Sequence, residues 1–277
     1  KIERVLKGVQ KEKKMKLKKS KKIMAYSTKG GVGKSTSLLT IAQYFSKKGY
    51  RICIIDADPQ ANLSKTILKD EVFKDEYLSM TDLFSAKVDC EKVHKAIYNV
   101  TDNLDIIGSS LALVNSEQLV RSNTMCDQGR IINKITQCIE DEYDIILLDF
   151  NPFPSLLTTN GFIASDFVII PTTCDEWAAD GVATTLSQIY QVIEGFGKEI
   201  KYKVLINQKS RNKDDRAFEE EINAQLNADQ LFKTNIHYQA KPFKNKDICV
   251  TDFNKGNTTV GQEWQSVLDE IEREVLR

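Results

Sequence analysis

Ile23-Met-Ala-Tyr-Ser-Thr-Lys-Gly-Gly-Val-Gly-Lys-Ser-Thr36 is the stretch on which the reading of this chain turns. A short apolar run enters a glycine-rich turn, passes through Lys34-Ser35, and continues into a segment where Leu38, Ile41, Ala42 and Phe45 recur at i, i+3, i+4 and i+7. That is the period of an amphipathic helix, and Gly49 follows it as a C-terminal stop. Strand, turn and helix in this order place Gly30, Gly31 and Gly33 where backbone N–H groups turn inward around phosphate oxygens, with the helix dipole behind them. Lys34 is then positioned to reach β- and γ-phosphates, and Ser35 to offer its hydroxyl oxygen to Mg²⁺. The strict pattern GxxxxGK[ST] is missed at one position, where Thr28 stands for its first glycine.

Outward from this loop the chain alternates short apolar runs with longer amphipathic ones. The strand candidates are 23–27, 51–55, 104–107, 144–148, 167–170 and 202–206. Several are continuous apolar runs, such as Ile145-Ile-Leu-Leu148, as expected where helices cover both faces of a sheet. Val182, Leu186, Ile189 and Ile193 form a second helical stripe, and residues 60–100 read as polar and irregular with short peripheral helices. The expected fold is α/β, a mostly parallel twisted sheet with helices on both faces, in one domain over residues 22–277.

The 277 residues with 41% apolar content suffice for one such domain with a substantial core. No stretch approaches the roughly 20 apolar residues of a membrane-spanning helix, and no signal-peptide pattern is present, so a soluble cytoplasmic protein is expected. The six cysteines, at 53, 90, 126, 138, 174 and 249, form no CxxC pair. They read as reduced, with Cys53, Cys138 and Cys249 beside apolar residues that look like core. The formal net charge of zero conceals a basic start: residues 1–22 carry eleven Lys/Arg and two Glu, a balance of +9. Residues 1–21 are therefore a basic extension, either a solvated tail or an arm docking on nucleic-acid phosphates.

Two acidic motifs close apolar strands. Ile52-Cys-Ile-Ile-Asp-Ala-Asp-Pro-Gln-Ala-Asn62 puts Asp56 and Asp58 just past a buried run. In a doubly wound sheet, ligands collect at the carboxyl ends of strands; a polar βα turn is the alternative reading. Tyr143-Asp-Ile-Ile-Leu-Leu-Asp-Phe-Asn-Pro152 similarly ends on Asp149, a metal-side carboxylate or a helix N-cap.

Lys29-Gly-Gly-Val-Gly-Lys-Ser-Thr36 resembles the deviant Walker A box, KGGxGK[ST][ST], of the ParA/MinD ATPases, many of which also lack the first glycine. The resemblance implies a P-loop NTPase fold, ATP/ADP and Mg²⁺ as cofactors, and nucleotide contacts from Lys29, Gly30, Gly31, Val32, Gly33, Lys34, Ser35 and Thr36. It implies that Lys29 reaches across a dimer interface to phosphates bound by the partner subunit, so that nucleotide state is coupled to assembly. Residues 56–62 are similar to the family's DxDPQxN box. By that likeness Asp58 orients or activates the attacking water, Asp56 supports the Mg²⁺ side with Ser35 and Asp149, and Gln60 and Asn62 belong to the γ-phosphate-sensing switch. Asp149 corresponds to the Walker B aspartate, but where members usually read DxPP this chain reads Asp149-Phe-Asn-Pro, which alters switch II. Segments 156–160 and 169–181 continue the likeness. Asn207 matches the asparagine that reads the adenine edge, and 232–238 resembles the loop closing over the base.

Among branches of the family, a MinD-like protein ends in a basic amphipathic helix that inserts into an anionic membrane. Here Val260, Trp264, Val267, Leu268, Ile271 and Val275 form a stripe whose opposite face is acidic, which points to a helix packed on its own domain and to no membrane partner. The nitrogenase iron-protein branch needs cluster cysteines in glycine-rich loops, and a capsule-type kinase needs a terminal tyrosine cluster; the chain shows neither. The closest likeness is to ParA-type DNA-partitioning ATPases without an N-terminal helix-turn-helix domain. It implies an ATP-bound homodimer, non-specific DNA binding at the nucleoid, and a ParB-like centromere-binding adaptor that stimulates a weak ATP hydrolase. Lys209, Arg211, Lys213 and Arg216, or Lys241, Lys244 and Lys246, are candidate DNA contacts or simply solvated charge. A positioning ATPase for a non-DNA cargo and a nucleotide-binding regulator with little turnover are the other readings.

Overall fold

The computed structural model describes residues 17–123, 127–210, 213–238 and 259–277. The described chain runs β1 (Lys21–Ala25), α1 (Lys34–Lys47), β2 (Ile52–Ala57), α2 (Asn62–Leu68), α3 (Met80–Leu83), α4 (Cys90–Lys95), β3 (Ile97–Thr101), β4 (Leu104–Ile107) and α5 (Leu113–Ser122). It continues through α6 (Ile131–Gln137), β5 (Ile145–Phe150), α7 (Leu156–Ala164), β6 (Phe167–Thr172), α8 (Ala178–Phe196), β7 (Lys201–Ile206), α9 (Lys213–Gln225) and α10 (Thr259–Ile271). The strands form one seven-stranded sheet in the order β3-β4-β2-β5-β1-β6-β7, parallel except for the edge strand β3.

Alternation along the central strands sends side chains to two separate cores. Ile23, Ile52, Ile54, Ile145 and Leu147 pack with α1, α2 and α10, while Met24, Ile55, Ile146, Leu148 and Val168 pack with α3–α8. All six expected strands are present, with ends displaced by at most two residues and β4 as expected at both ends. The expectation missed β3, whose Ile97-Tyr-Asn-Val-Thr101 alternates half-buried and exposed and pairs back on β4 through a two-residue turn. An edge strand with one wet face carries too weak an apolar signal to stand out.

The C-terminal stripe behaves as expected, with Trp264, Val267, Leu268, Ile271 and Val275 buried in the α1 core. Its acidic face is also tied to the domain: Lys203 Nζ holds Glu270 at 2.5 Å and Glu274 at 2.7 Å, and Lys48 Nζ holds Glu272 at 2.7 Å. Among the described residues no helix is long and apolar enough to cross a membrane.

One sequence expectation is corrected. Cys138 is not a free core thiol; it is bonded to Cys90 in a disulfide joining the start of α4 to the end of α6. The two lie 48 residues apart, and their meeting depends on how α4 packs below the sheet, which spacing alone does not show. Cys53 is free and buried as expected, and Cys174, which the sequence did not single out as core, is also free and buried. Cys126 and Cys249 lie outside the described residues, as do residues 1–16, Arg211, Lys241, Lys244 and Lys246.

A buried side chain ties the segment after β5 to the rest of the fold. Asn160, on α7, accepts the N–H groups of Ile131 (2.7 Å) and Ile132 (3.3 Å) and donates to the Gln128 and Leu156 carbonyls. It caps α6 from a distance, because α6 begins with no side-chain cap of its own.

Candidate functional site

The loop after β1 is built for an anion. Gly31 and Gly33 take left-handed φ values of 77° and 94°, which non-glycine residues rarely adopt. Nothing lies within 4 Å of where a Cβ on Gly30 or Gly31 would stand. At Gly33 a Cβ would sit 2.3 Å from Asn207 Nδ2, so any side chain there is excluded twice over. Helix α1 starts with no side-chain cap and no acidic residue in its first turn, leaving its N-terminal amides for a ligand. Thr28, the position that breaks the strict pattern, is held by α8: its hydroxyl donates to the Gly181 carbonyl at 3.3 Å and its N–H to Thr185 Oγ1 at 3.4 Å.

Lys34, buried at the start of α1, directs Nζ to the Lys29 carbonyl at 3.2 Å. Burial lowers its pKa, against the pull of Asp149 and Asp58. Ser35 Oγ donates to Asp149 Oδ2 at 2.6 Å. Val32 is fully buried, and Thr36 gives its carbonyl to the Thr40 hydroxyl at 2.8 Å.

The carboxylates converge because β2 and β5 are adjacent and in register, with Asp56 opposite Asp149. Both are buried. Asp56 accepts from Ser64 Oγ (2.6 Å), Ser64 N (2.9 Å) and Asp58 N (3.1 Å). Asp149 Oδ1 has no partner at all. Burial raises the pKa of both, and each carboxylate's charge adds to the cost of ionising the site. Asp58 is half-buried and its Oδ1 accepts Gln60 N at 2.8 Å. A buried carboxylate oxygen with no donor, beside a serine hydroxyl and a second buried carboxylate, fits a divalent cation shared with phosphate oxygens and water. Among the described residues no group of three His, Cys, Asp or Glu forms a metal site by itself.

This crowding carries a testable consequence. A raised carboxyl pKa means the folded site holds protons more tightly than the unfolded chain, so its contribution to stability falls as pH rises above the ordinary carboxylate range. Asp149→Asn removes one buried charge and keeps an acceptor for Ser35. It should raise the ligand-free melting temperature by several degrees, since about 1 kcal/mol corresponds to roughly 2–4 °C at this size. The same change should remove most of the stabilisation conferred by Mg²⁺ with ATP. A lower ligand-free melting temperature for the variant would contradict the account.

Lys29 lies on the rim and is held within its own protomer. Its Nζ pairs with Asp175 Oδ2 and also donates to Thr173 Oγ1 at 3.3 Å. Partial burial works against the Asp175 carboxylate, but the bonds from Lys29 and Thr173 carry its pKa below the usual value. Asp175 stands just beyond the carboxyl end of β6, the same placement that marked Asp58 and Asp149; the rule that found those two would have found it.

Asn207, at the end of β7, has both ends of its amide engaged: Nδ2 donates to the Val32 carbonyl at 2.8 Å and Oδ1 accepts Gln208 N at 2.9 Å. Gln208, at a left-handed φ of 57°, donates to the Gly31 carbonyl at 2.9 Å. The strand end thus clasps the phosphate loop from the side. Sequence reasoning missed Gln208, Ser64 and Asp175; Gln208 and Asp175 act through contacts distant in the chain, and Ser64 through Asp56, eight residues before it. Lys209, a candidate DNA contact, is spent on Glu219 and largely buried; Arg216 is exposed. Between β5 and α7, Asn151 Oδ1 accepts Phe153 N at 3.4 Å, Ser155 caps α7, and Phe153 is 68% exposed.

The AAA_31 family model, an AAA domain, matches residues 20–202. The chain belongs to this family. Within it the likeness is to the ParA/MinD type of ATPase. The chromosome-partitioning ATPase Soj of Treponema pallidum is 28% identical over 180 residues, covering 63% of this chain and 66% of that protein. The sporulation initiation inhibitor protein Soj of Bacillus subtilis is 30% identical over 170 residues, 61% of this chain and 64% of its own length. The match to these relatives thus spans just under two thirds of their length. A structure described as a putative plasmid partition protein of Borrelia burgdorferi bound to AMPPNP superposes with a TM-score of 0.76, covering 93% of this chain and all of that one at 23% identity. That likeness shows the shared fold.

Proposed function

We propose that this chain is an ATP-dependent DNA-partitioning ATPase in which nucleotide binding drives face-to-face dimerisation and non-specific DNA binding, and hydrolysis resets it. The observation that carries the reading is Lys29: a second lysine on the rim of a phosphate loop that already has Lys34, held by a contact it can exchange for another. Residues 30–36 would cradle ATP phosphates, Ser35 and Asp149 would hold Mg²⁺ with support from Asp56, and Asp58 would position the attacking water. Bound Mg²⁺ would neutralise charge developing on the phosphate oxygens. Gln60 would sense the γ-phosphate, and Asn207 would read the adenine edge once its internal bonds open. Residues 22–277 would form the ATPase domain and 1–21 a basic extension, although the chain is already tied down at Leu17, whose N–H donates to Asp144 Oδ1 at 2.7 Å. A ParB-like adaptor would stimulate turnover, and the protein would act in the cytoplasm on the nucleoid.

The partition names borne by Soj and the Borrelia protein support this assignment. The Asp149-Phe-Asn-Pro turn supports a second reading, a nucleotide-gated regulator with little turnover. The test is binding to a DNA duplex of arbitrary sequence with ATP, with ADP and without nucleotide, over a salt series. Partitioning requires affinity that rises with ATP and a log–log salt slope of about −0.9 per phosphate contacted. Absence of any ATP-dependent increment rejects it.

A further inference from the structure

Behind the carboxylates, the segment after β4 joins the site through one side chain. Ser64, in the first turn of α2, is completely buried. Its hydroxyl donates to Asp56 Oδ2 at 2.6 Å, and its N–H donates to the same oxygen at 2.9 Å. The hydroxyl oxygen in turn accepts Ser109 N at 2.8 Å. Asp56 Oδ1 accepts Asp58 N at 3.1 Å. Three donors on two oxygens fix the plane of the Asp56 carboxylate, and all three come from residues 58–64.

Asp56 in return caps α2. That helix follows Ala61, which takes a left-handed φ of 52° and supplies no side-chain cap, so the Ser64 N–H is one of its orphan donors. Carboxylate and helix are therefore bound to move together. The loop after β4 is fitted to the same group. A Cβ on Gly108 would stand 3.0 Å from Ser64 Oγ and 2.0 Å from Tyr77 Oη, so glycine is what lets the loop approach. Ser109 is then held at its N–H by Ser64 and at its carbonyl by Tyr77 Oη, which donates at 3.2 Å. Across the sheet, Asp56 stands opposite Asp149, whose Oδ1 has no partner and whose Oδ2 accepts Ser35 Oγ.

We infer that Ser64 is a positioning residue for the cation side of this site. It sets the Asp56 carboxylate and ties it both to α2 and to the loop 108–110, so that a cation held with nucleotide at Ser35 and Asp149 also orders these two segments. The inference rests on the reading of Asp56 as a carboxylate that supports Mg²⁺. It adds which group holds Asp56 in place, and it brings a third strand end, that of β4, into the response to metal. A mere tie between α2 and its neighbours would change thermal stability and leave metal affinity alone.

The experiment titrates Mn²⁺ into the full chain saturated with ADP, reading free Mn²⁺ by electron paramagnetic resonance, for wild type, Ser64→Ala and Asp56→Asn. Ser64→Ala should weaken Mn²⁺ binding by about tenfold or more, the usual effect of removing a group that orients a metal-side carboxylate. Its ADP affinity in EDTA should match wild type, which also verifies folding. In wild type, adding Mg²⁺ to the ADP-bound chain should slow amide hydrogen exchange in peptides covering 62–68 and 108–110; in Ser64→Ala the slowing at 108–110 should vanish. Mn²⁺ affinity that is unchanged in Ser64→Ala but lowered in Asp56→Asn overturns the inference. So does an equal loss of ADP affinity with and without metal. Wild-type exchange at 108–110 that ignores Mg²⁺ overturns it as well, whether or not Ser64→Ala folds. Mn²⁺ affinity unchanged in both variants removes the reading of Asp56 itself, and the inference falls with it.

Discussion

Lys29→Ala is expected to abolish ATP-induced dimerisation while leaving ATP binding to the monomer within a few-fold of wild type. Lys34 and the loop amides provide the contacts available within one protomer, and Lys29 is directed away from that pocket to Asp175 and Thr173. Its contribution to ATP affinity in cis is therefore small. In trans it would place a cation against partner-bound phosphates, in a water-poor interface where a charge-assisted contact is far stronger than on a surface. Loss of that contact should move the dimer constant by at least about a hundredfold, or about 2.8 kcal/mol at 1.4 kcal/mol per decade. Sedimentation with ATP, beside calorimetric titration of nucleotide, separates the two effects. Asp175→Asn is the complementary variant: it weakens the cis pair, so the ATP-bound dimer should form at lower protein concentration. Dimerisation that survives in Lys29→Ala would remove the proposed role.

Asp58→Ala should slow ATP hydrolysis by about 10²–10⁴-fold, the usual contribution of a positioned proton acceptor or water-orienting group. Asp58 is the one carboxylate of the three that remains partly exposed, with its Oδ1 accepting the Gln60 N–H. Asp56 and Asp149 are buried behind it and better placed toward a cation. The variant should still bind ATP and dimerise, and because its nucleotide persists the dimer should outlast the wild-type one. Phosphate release measured alongside dimer lifetime gives the answer. A variant that hydrolyses at the wild-type rate would shift the catalytic role to another group.

Continuous apolar runs such as Ile145-Ile-Leu-Leu148 made the central strands legible, because a strand buried on both faces leaves an unbroken signal. The edge strand β3 left no such signal, being half wet. The placement of Asp56, Asp58 and Asp149 was legible for a topological reason: in parallel strands every carboxyl end lies on the same edge as the loop after β1. Asp175 obeys the same rule at the end of β6 and was still passed over, because its segment was matched as a whole with no role given to the single carboxylate. Cys138 looked like a core thiol among apolar neighbours; only the packing of α4 against the end of α6 brought Cys90 to it.

The amino-acid sequence alone therefore determined the local devices: a glycine loop that only left-handed backbone can close, an uncapped helix behind it, and acidic groups at the ends of buried strands. These follow from residue type and short-range spacing. The tertiary structure decided which devices meet. Ser35 reaches Asp149 across 114 residues, Lys29 reaches Asp175 across 146, and Asn207 reaches the Val32 carbonyl across 175. No periodicity encodes such contacts; they arise from the order in which β2, β5, β1, β6 and β7 lie side by side, and that order is chosen by burial of the whole sheet between its two helical layers.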